Sequence, residues 1–280
     1  MQLIFALLSI MILELTGYLL AALIGISLGL IGGGGSILTV PLLVYIMGVN
    51  PLLATSYSLF IVGATSLVGA VNNYHKGFVN IKTALLFGIS SISAVFLTRK
   101  FLLPSIPQVF FPNKIYHFSH ESATMVFFAI LMLLAAIAMI RKSKDPNQST
   151  LVVLQDTIPI LKLFSYGALI GLVTGLLGAG GGFLLIPFLV LVIKIPMKQA
   201  VGTSLLIIAL NSLIGFTGDL GHFIINWTFL LSITAVAITG IFIGGLLSKK
   251  IKGEKLKIAF GWFVLVMGIY IIVKELFFTA

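Results

Sequence analysis

Cysteine is missing from this chain and charge is scarce: of 280 residues only 9% are charged, while 59% are hydrophobic. The first absence excludes disulfides, thiolate catalysis and thiolate metal sites, and it leaves the redox compartment undetermined. The second excludes an ordinary water-soluble domain, whose composition is about a quarter charged. Acidic residues are scarcer still, 7 against 17 Lys and Arg. The resulting net charge of +10 does not point to nucleic acid, because the basic residues flank apolar runs instead of covering one soluble face. No hydrolytic triad, metal-ligand cluster or pair of catalytic carboxylates occurs at a recognisable spacing. The expectation is therefore a non-enzyme with no catalytic residue, no metal and no cofactor. The glycine runs also lack nucleotide signatures. Neither is followed by Gly-Lys-Ser/Thr, and the third position of a dinucleotide fingerprint after Gly178 and Gly180 is Phe183.

What the chain does have is apolar length. Mean hydropathy is +1.21, and stretches near the ~20 residues needed to cross a bilayer recur throughout. Most of the polypeptide is expected to lie in lipid as backbone-satisfied helices. Met1 to Leu13 is apolar enough for a signal-peptide core but lacks a basic leader and a small-residue cleavage site, so it is read as part of the mature chain.

A shift of 146 residues aligns the two halves without a gap. Gly25, Gly29, Gly32, Gly34, Gly35 and Gly69 fall on Gly171, Gly175, Gly178, Gly180, Gly181 and Gly215; Pro41 falls on Pro187, Ser58 on Ser204 and Asn80 on Asn226. Between Ala22 and Ala84 roughly a third of positions match, against about a tenth expected by chance. Each half reads as five apolar segments, near 15–31, 36–49, 51–73, 80–98 and 121–140, then 160–177, 182–195, 197–218, 226–247 and 257–278. The first two of each half are short and meet at a glycine run, which suits a broken hairpin inside the membrane.

If those pairs go in and come back, each half crosses an odd number of times and the halves are inverted. Lys and Arg then divide 13 to 4, with only Arg99, Lys100, Lys114 and Lys274 on the outer face. The fold expected is an all-α polytopic membrane protein of two inverted repeats, residues 1–140 and 159–280, joined by a cytoplasmic linker at 141–158. Each repeat has a glycine-broken short hairpin followed by three spans. The multi-pass chain would sit in the cytoplasmic membrane, with Lys142 and Lys250 inside and Lys114 and Ala280 outside.

Consecutive glycines destabilise a helix by about 1 kcal/mol each relative to alanine. Broken helices at membrane depth aim half-helix N-termini, with their free N–H groups and partial positive charge, at a ligand. Gly33, Gly34, Gly35 and Ser36 would line one such end, and Gly180, Gly181 and Gly182 its mate. Packing through small residues is the structural alternative, but it favours spacings of four. Ser58, Thr203, Ser204 and Asn211 are the candidate side-chain donors. Glu14, His75, Asp219 and His222 are the ionisable groups in or beside spans, and they are the candidates for proton coupling.

The runs GLIGGGGSILTVPLL at 29–43 and GLLGAGGGFLLIPFL at 175–189, each followed by an A-x-x-x-S segment, resemble the TauE/SafE sulfite exporter family. The resemblance covers nearly the whole chain. It implies a secondary transporter, by the family's name an exporter, whose substrate is a small anion such as sulfite, a sulfonate or another organosulfur anion. Alternating access would move that anion through one central site. Ala179 for Gly33 and Gly182 for Ser36 are departures between the two runs, so any contact from Ser36 has no counterpart in the second half. A passive anion channel is the alternative reading, and a membrane-embedded enzyme or assembly factor a third. Partners implied are the small anion and the lipid bilayer, with no nucleic acid. Oligomeric state, coupling ion and direction of transport are not encoded in these motifs.

Overall fold

Asparagine starts several of the long helices. The Asn50 side chain accepts from the backbone N–H groups of Leu52 and Leu53, with Pro51 in the first turn, where its missing N–H costs nothing. Asn80 accepts from Thr83 N, and Asn226 from Phe229 N. From such starts a computed structural model describes residues 2–105, 120–140, 160–178, 180–247 and 253–277 as helices and short turns. The linker at 141–158, with Lys142, lies outside the described residues, as do Lys114, Lys250 and Ala280.

In chain order the elements are α1 (Gln2–Ile31), α2, α3 (Pro51–His75), α4 (Ile81–Ser105), α5 (His120–Ile140), α6 (Ile160–Leu177), α7 (Gly182–Leu191), α8 (Met197–Asp219), α9 (Trp227–Leu247) and α10 (Gly253–Phe277). Helix α2 is composite: a 3-10 entry at Gly33–Leu38, one α turn at Thr39–Pro41 and a π turn at Leu42–Ile46. A second π turn, Thr98–Leu102, widens α4 near its end. Among the described residues four helices, α3, α4, α8 and α9, are long and apolar enough to cross a membrane. Outward faces are correspondingly oily: Leu15, Leu19 and Leu23 on α1, and Trp262 and Val266 on α10, are exposed. This is a multi-pass membrane protein.

Two segments run longer than expected. Helix α1 extends from Gln2 to Ile31, not from residue 15, and is therefore not short. Helix α4 continues past residue 98 to Ser105, because the π turn absorbs Arg99 and Lys100 without ending the helix. Three pairs of boundaries agree with the 146-residue shift: α1 and α6 end at Ile31 and Leu177, α3 and α8 start at Pro51 and Met197, and α4 and α9 start at Ile81 and Trp227, whereas α5 and α10 are not in that register.

The packing follows the same correspondence. Helix α1 lies against α9, with Gly25 and Gly29 seated on Gly240 and Gly244 so that backbones touch. The corresponding α6 lies against α4, where Gly167, Gly171 and Gly175 meet Ser90, Ser91 and Thr98. Residue numbers rise together along both interfaces, so each pair is parallel. Helices α3 and α8 instead cross antiparallel, with Leu59 near Gly215, Gly63 near Leu213 and Gly69 near Leu205. Tyr166 of α6 meets the ring of Phe188 on α7 at 5.3 Å, so the second hairpin turns back on itself. Cross-ties between halves are also matched. Asn226 N donates to the Tyr57 hydroxyl at 2.8 Å, and Asn80 N donates to the Thr203 hydroxyl at 2.9 Å, both donors and acceptors standing 146 residues apart.

Candidate functional site

The glycine runs are where both hairpins break, and they do so by the same first step. Gly32 and Gly178 close the last turns of α1 and α6 through bonds from their N–H groups to Leu28 O and Thr174 O, 2.8 and 2.9 Å long. Both glycines then take positive φ, 76° and 67°, a region side chains rarely enter. Beyond that point the breaks differ. The first run passes directly into the 3-10 turn of α2. The second keeps Gly180 and Gly181 left-handed as well, and Gly181 caps α7.

The runs touch each other. A Cβ on Gly33 would strike Gly182 and the end of Ile208, and one on Gly182 would strike the Gly33 backbone. Gly180 packs on Val62, Ile208 and the Ser212 hydroxyl. Val62 and Ile208 stand near the middles of α3 and α8, so the breaks meet where those helices cross. Gly33, Gly35 and Gly180 to Gly182 are buried. Gly34 belongs to the same 3-10 turn.

The polar candidates are all buried but not equally engaged. The Ser36 hydroxyl donates to Gly33 O at 2.8 Å, back into its own run. The Ser204 hydroxyl donates to Val201 O, and Thr203 accepts from Asn80, a tie that positions the start of α4. Asn211 Nδ2 donates to the Ser91 hydroxyl at 2.6 Å, while its Oδ1 has no partner among the described residues. The Ser58, Thr65, Ser66 and Ser212 hydroxyls are likewise buried without a partner there. Such atoms destabilise a fold by about 1–3 kcal/mol each unless something meets them.

Of the ionisable candidates, Glu14 lies on α1, and its side chain is outside the description. His75 and His222 are exposed at the ends of α3 and just past α8. Asp219 is different: it is 2% exposed and its Oδ2 accepts from Arg99 Nη1 at 3.0 Å. The same Nη1 donates to the Thr55 hydroxyl, also at 3.0 Å. Arg99 is fully buried, and its Nε and Nη2 have no partner among the described residues. Nη2 faces Gly178, where an added Cβ would collide with Thr55 and approach Nη2 to 2.5 Å.

Arg99 thus belongs at the second break, not on the outer surface where charge counting puts it. The sequence signal was available: Phe101, Leu102 and Leu103 continue the apolar run beyond Arg99-Lys100. Thr55, Ser91 and Ser212 carried no comparable mark, since hydroxyls in membrane helices mostly bond their own backbone.

The model of the family described as Sulfite exporter TauE/SafE matches residues 18–271. Two relatives from Xylella fastidiosa, each named "Probable membrane transporter protein", are similar along most of their length. The one from strain Temecula1 is 30% identical over 258 residues, covering 89% of this chain and 91% of the relative. The one from strain 9a5c is 31% identical over 256 residues, covering 89% and 91%. "Probable membrane transporter protein YunE" of Bacillus subtilis strain 168 is 26% identical over 271 residues, covering 89% and 93%. No solved structure matches the chain.

Proposed function

The chain belongs to the sulfite exporter TauE/SafE family of membrane transporters, and from that premise we propose that it is a secondary transporter exporting a small anion, sulfite or an organosulfur anion, by alternating access. The observation that carries this reading is the meeting of two broken hairpins at the crossing of α3 and α8, with Gly33 against Gly182 and Gly180 against Ser212. Only glycine lets two backbones approach so closely, and paired helix breaks at membrane depth are where carriers bind small ions. The burial of Gly33, Gly180, Ser58 and Asn211 suits a closed state from which rocking one half against the other opens the site.

The inverted arrangement is part of the proposal. Corresponding helices α3 and α8 cross antiparallel, which supports it. So does the matched pair of parallel contacts, α1 on α9 and α6 on α4. Single cysteines at Lys76 and His222, both exposed, test it in this cysteine-free chain. An impermeant thiol reagent applied to intact cells should reach position 222 and not 76. Equal labelling of both would end the inverted model.

Transport is tested by counterflow in proteoliposomes loaded with sulfite, sulfoacetate or acetate. Saturable exchange of an anion is expected; a flux that does not saturate would identify a passive channel instead. Replacing Gly34 or Gly180 by leucine should abolish exchange while folded protein stays in the membrane, since the side chain blocks the meeting point and favours a continuous helix. Normal exchange by both variants would mean that the glycines serve packing alone.

A further inference from the structure

We propose that Arg99 is the residue that recognises the transported anion. Its Nε and Nη2 edge would receive two oxygens of one oxyanion, a sulfite, sulfonate or carboxylate, once the Gly178 turn moves off it. This rests on the transport reading above and deepens it, because it locates the contact at one of the two breaks.

A guanidinium has five N–H donors arranged as a rigid fork. Here Nη1 alone serves both Thr55 and Asp219, leaving one N–H on Nε and two on Nη2 buried without a partner among the described residues. Those atoms form the edge that accepts a planar pair of oxygens in bidentate fashion. Asp219 uses one oxygen on one nitrogen, so the carboxylate that neutralises Arg99 does not occupy that edge. A purely structural pair buried this deeply would be expected to satisfy the whole fork, since unmet donors on a buried charge are costly.

The repeat supplies an independent argument. The positions corresponding to Arg99, Asp219 and Thr55 are Gly245, Asn73 and Val201. The first break is therefore packed without an ion pair: Gly32 lies against Val201 and Ile186, both apolar. A pair required to hold this architecture together would be needed twice. Arg99 also sits in the π turn Thr98–Leu102, and single-turn widenings of this kind are frequent at functional sites. Beside it the chain leaves α6 through Gly178 and re-enters a helix at Gly182, so the N-terminus of the ten-residue α7 follows four residues after the glycine that Nη2 faces.

The experiment is sulfite counterflow in proteoliposomes, with methanesulfonate, acetate and chloride as competitors. Arg99→Lys keeps the charge and the pairing with Asp219 but loses the fork. We expect its KM for sulfite to rise at least about tenfold and its preference for oxyanions over chloride to fall. Arg99→Gln combined with Asp219→Asn removes both charges, so no charge is left buried alone. We expect that variant to elute as folded, monodisperse protein and to lose sulfite exchange. If it exchanges sulfite with the wild-type KM, or if Arg99→Lys keeps both the KM and the oxyanion preference, this assignment is wrong while the transport reading stands. If the wild-type protein itself exchanges none of these anions, both fail.

Discussion

The two glycine breaks occupy corresponding places in a duplicated sequence, yet one is apolar and the other holds a buried ion pair. At the first, the backbone of Gly32 is hemmed in by the side chains of Val201 and Ile186. At the second, Gly178 lies against Thr55 and the guanidinium of Arg99. Val201 and Thr55 are themselves corresponding positions, so a few substitutions changed the chemistry without changing the packing. The lesson is that the repeated glycines make the breaks, whereas the unrepeated residues around them decide what a break can bind.

The largest effect that would sharpen this contrast comes from Arg99→Ala set beside Gly245→Ala, its counterpart. The first leaves Asp219 buried and unpaired, and should cost about 3–5 kcal/mol, seen as a large fall in thermal stability in detergent or as lost expression. The second adds a Cβ that meets Asn72 Nδ2 at 3.7 Å, an ordinary contact, and should be nearly silent. Equal effects would erase the contrast.

Gly178→Ala and Gly32→Ala come next. Both force a side chain into positive φ, at about 1–2 kcal/mol. At Gly178 the new Cβ collides with backbone, Thr55 O, which cannot move aside. At Gly32 it meets side-chain methyls, Val201 Cγ1 at 2.9 Å and Ile186 Cδ1 at 3.3 Å, and the backbone, Val201 Cα, only at 3.4 Å, an ordinary contact. Gly178→Ala should therefore lower the melting temperature more, by an added 1–3 kcal/mol; the reverse order would contradict the placement of Thr55.

A smaller, symmetric effect is expected where the halves agree. Tyr57→Phe and Thr203→Val each remove the acceptor for one backbone N–H, of Asn226 or Asn80, and should each cost about 1–3 kcal/mol in the same unfolding assay. Opposite or very unequal losses would show that the cross-ties are not equivalent.

Smallest is the pair Ser58→Ala and Ser204→Ala. The Ser58 hydroxyl has no partner among the described residues, so its removal should leave stability unchanged or slightly raised. Removing the Ser204 hydroxyl deletes a bond to Val201 O and should cost about 0.5–1.5 kcal/mol at most. A KM increase for sulfite in Ser58→Ala without a stability loss would place that hydroxyl on the anion's path.

Much of the architecture was legible before any coordinates. Apolar length gave the helices, and glycine runs their breaks, because each of these is a local preference of the backbone. The shift that aligned Gly32 with Gly178 also placed Pro51 against Met197 as helix starts. The misread boundaries have the same origin. Arg99-Lys100 reads as the flank of a span, since a charge in lipid is costly. Inside a folded partner the cost is met by Asp219 and Thr55, so the helix runs on to Ser105.

The sequence by itself determined that this is a helical membrane protein with a repeated, glycine-broken motif, and even which residues break. Tertiary structure alone decided which polar groups meet. Arg99 and Asp219 are 120 positions apart, and Asn80 and Thr203 123 apart. The physical reason is that these helices are apolar on nearly every side. In a soluble helix the polar face marks what lies outside, but here lipid and protein interior are equally oily. The pattern of hydrophobicity therefore cannot say which face of α4 looks inward, and only the packing of α4 against α6 and α8 turns Arg99 toward the second break.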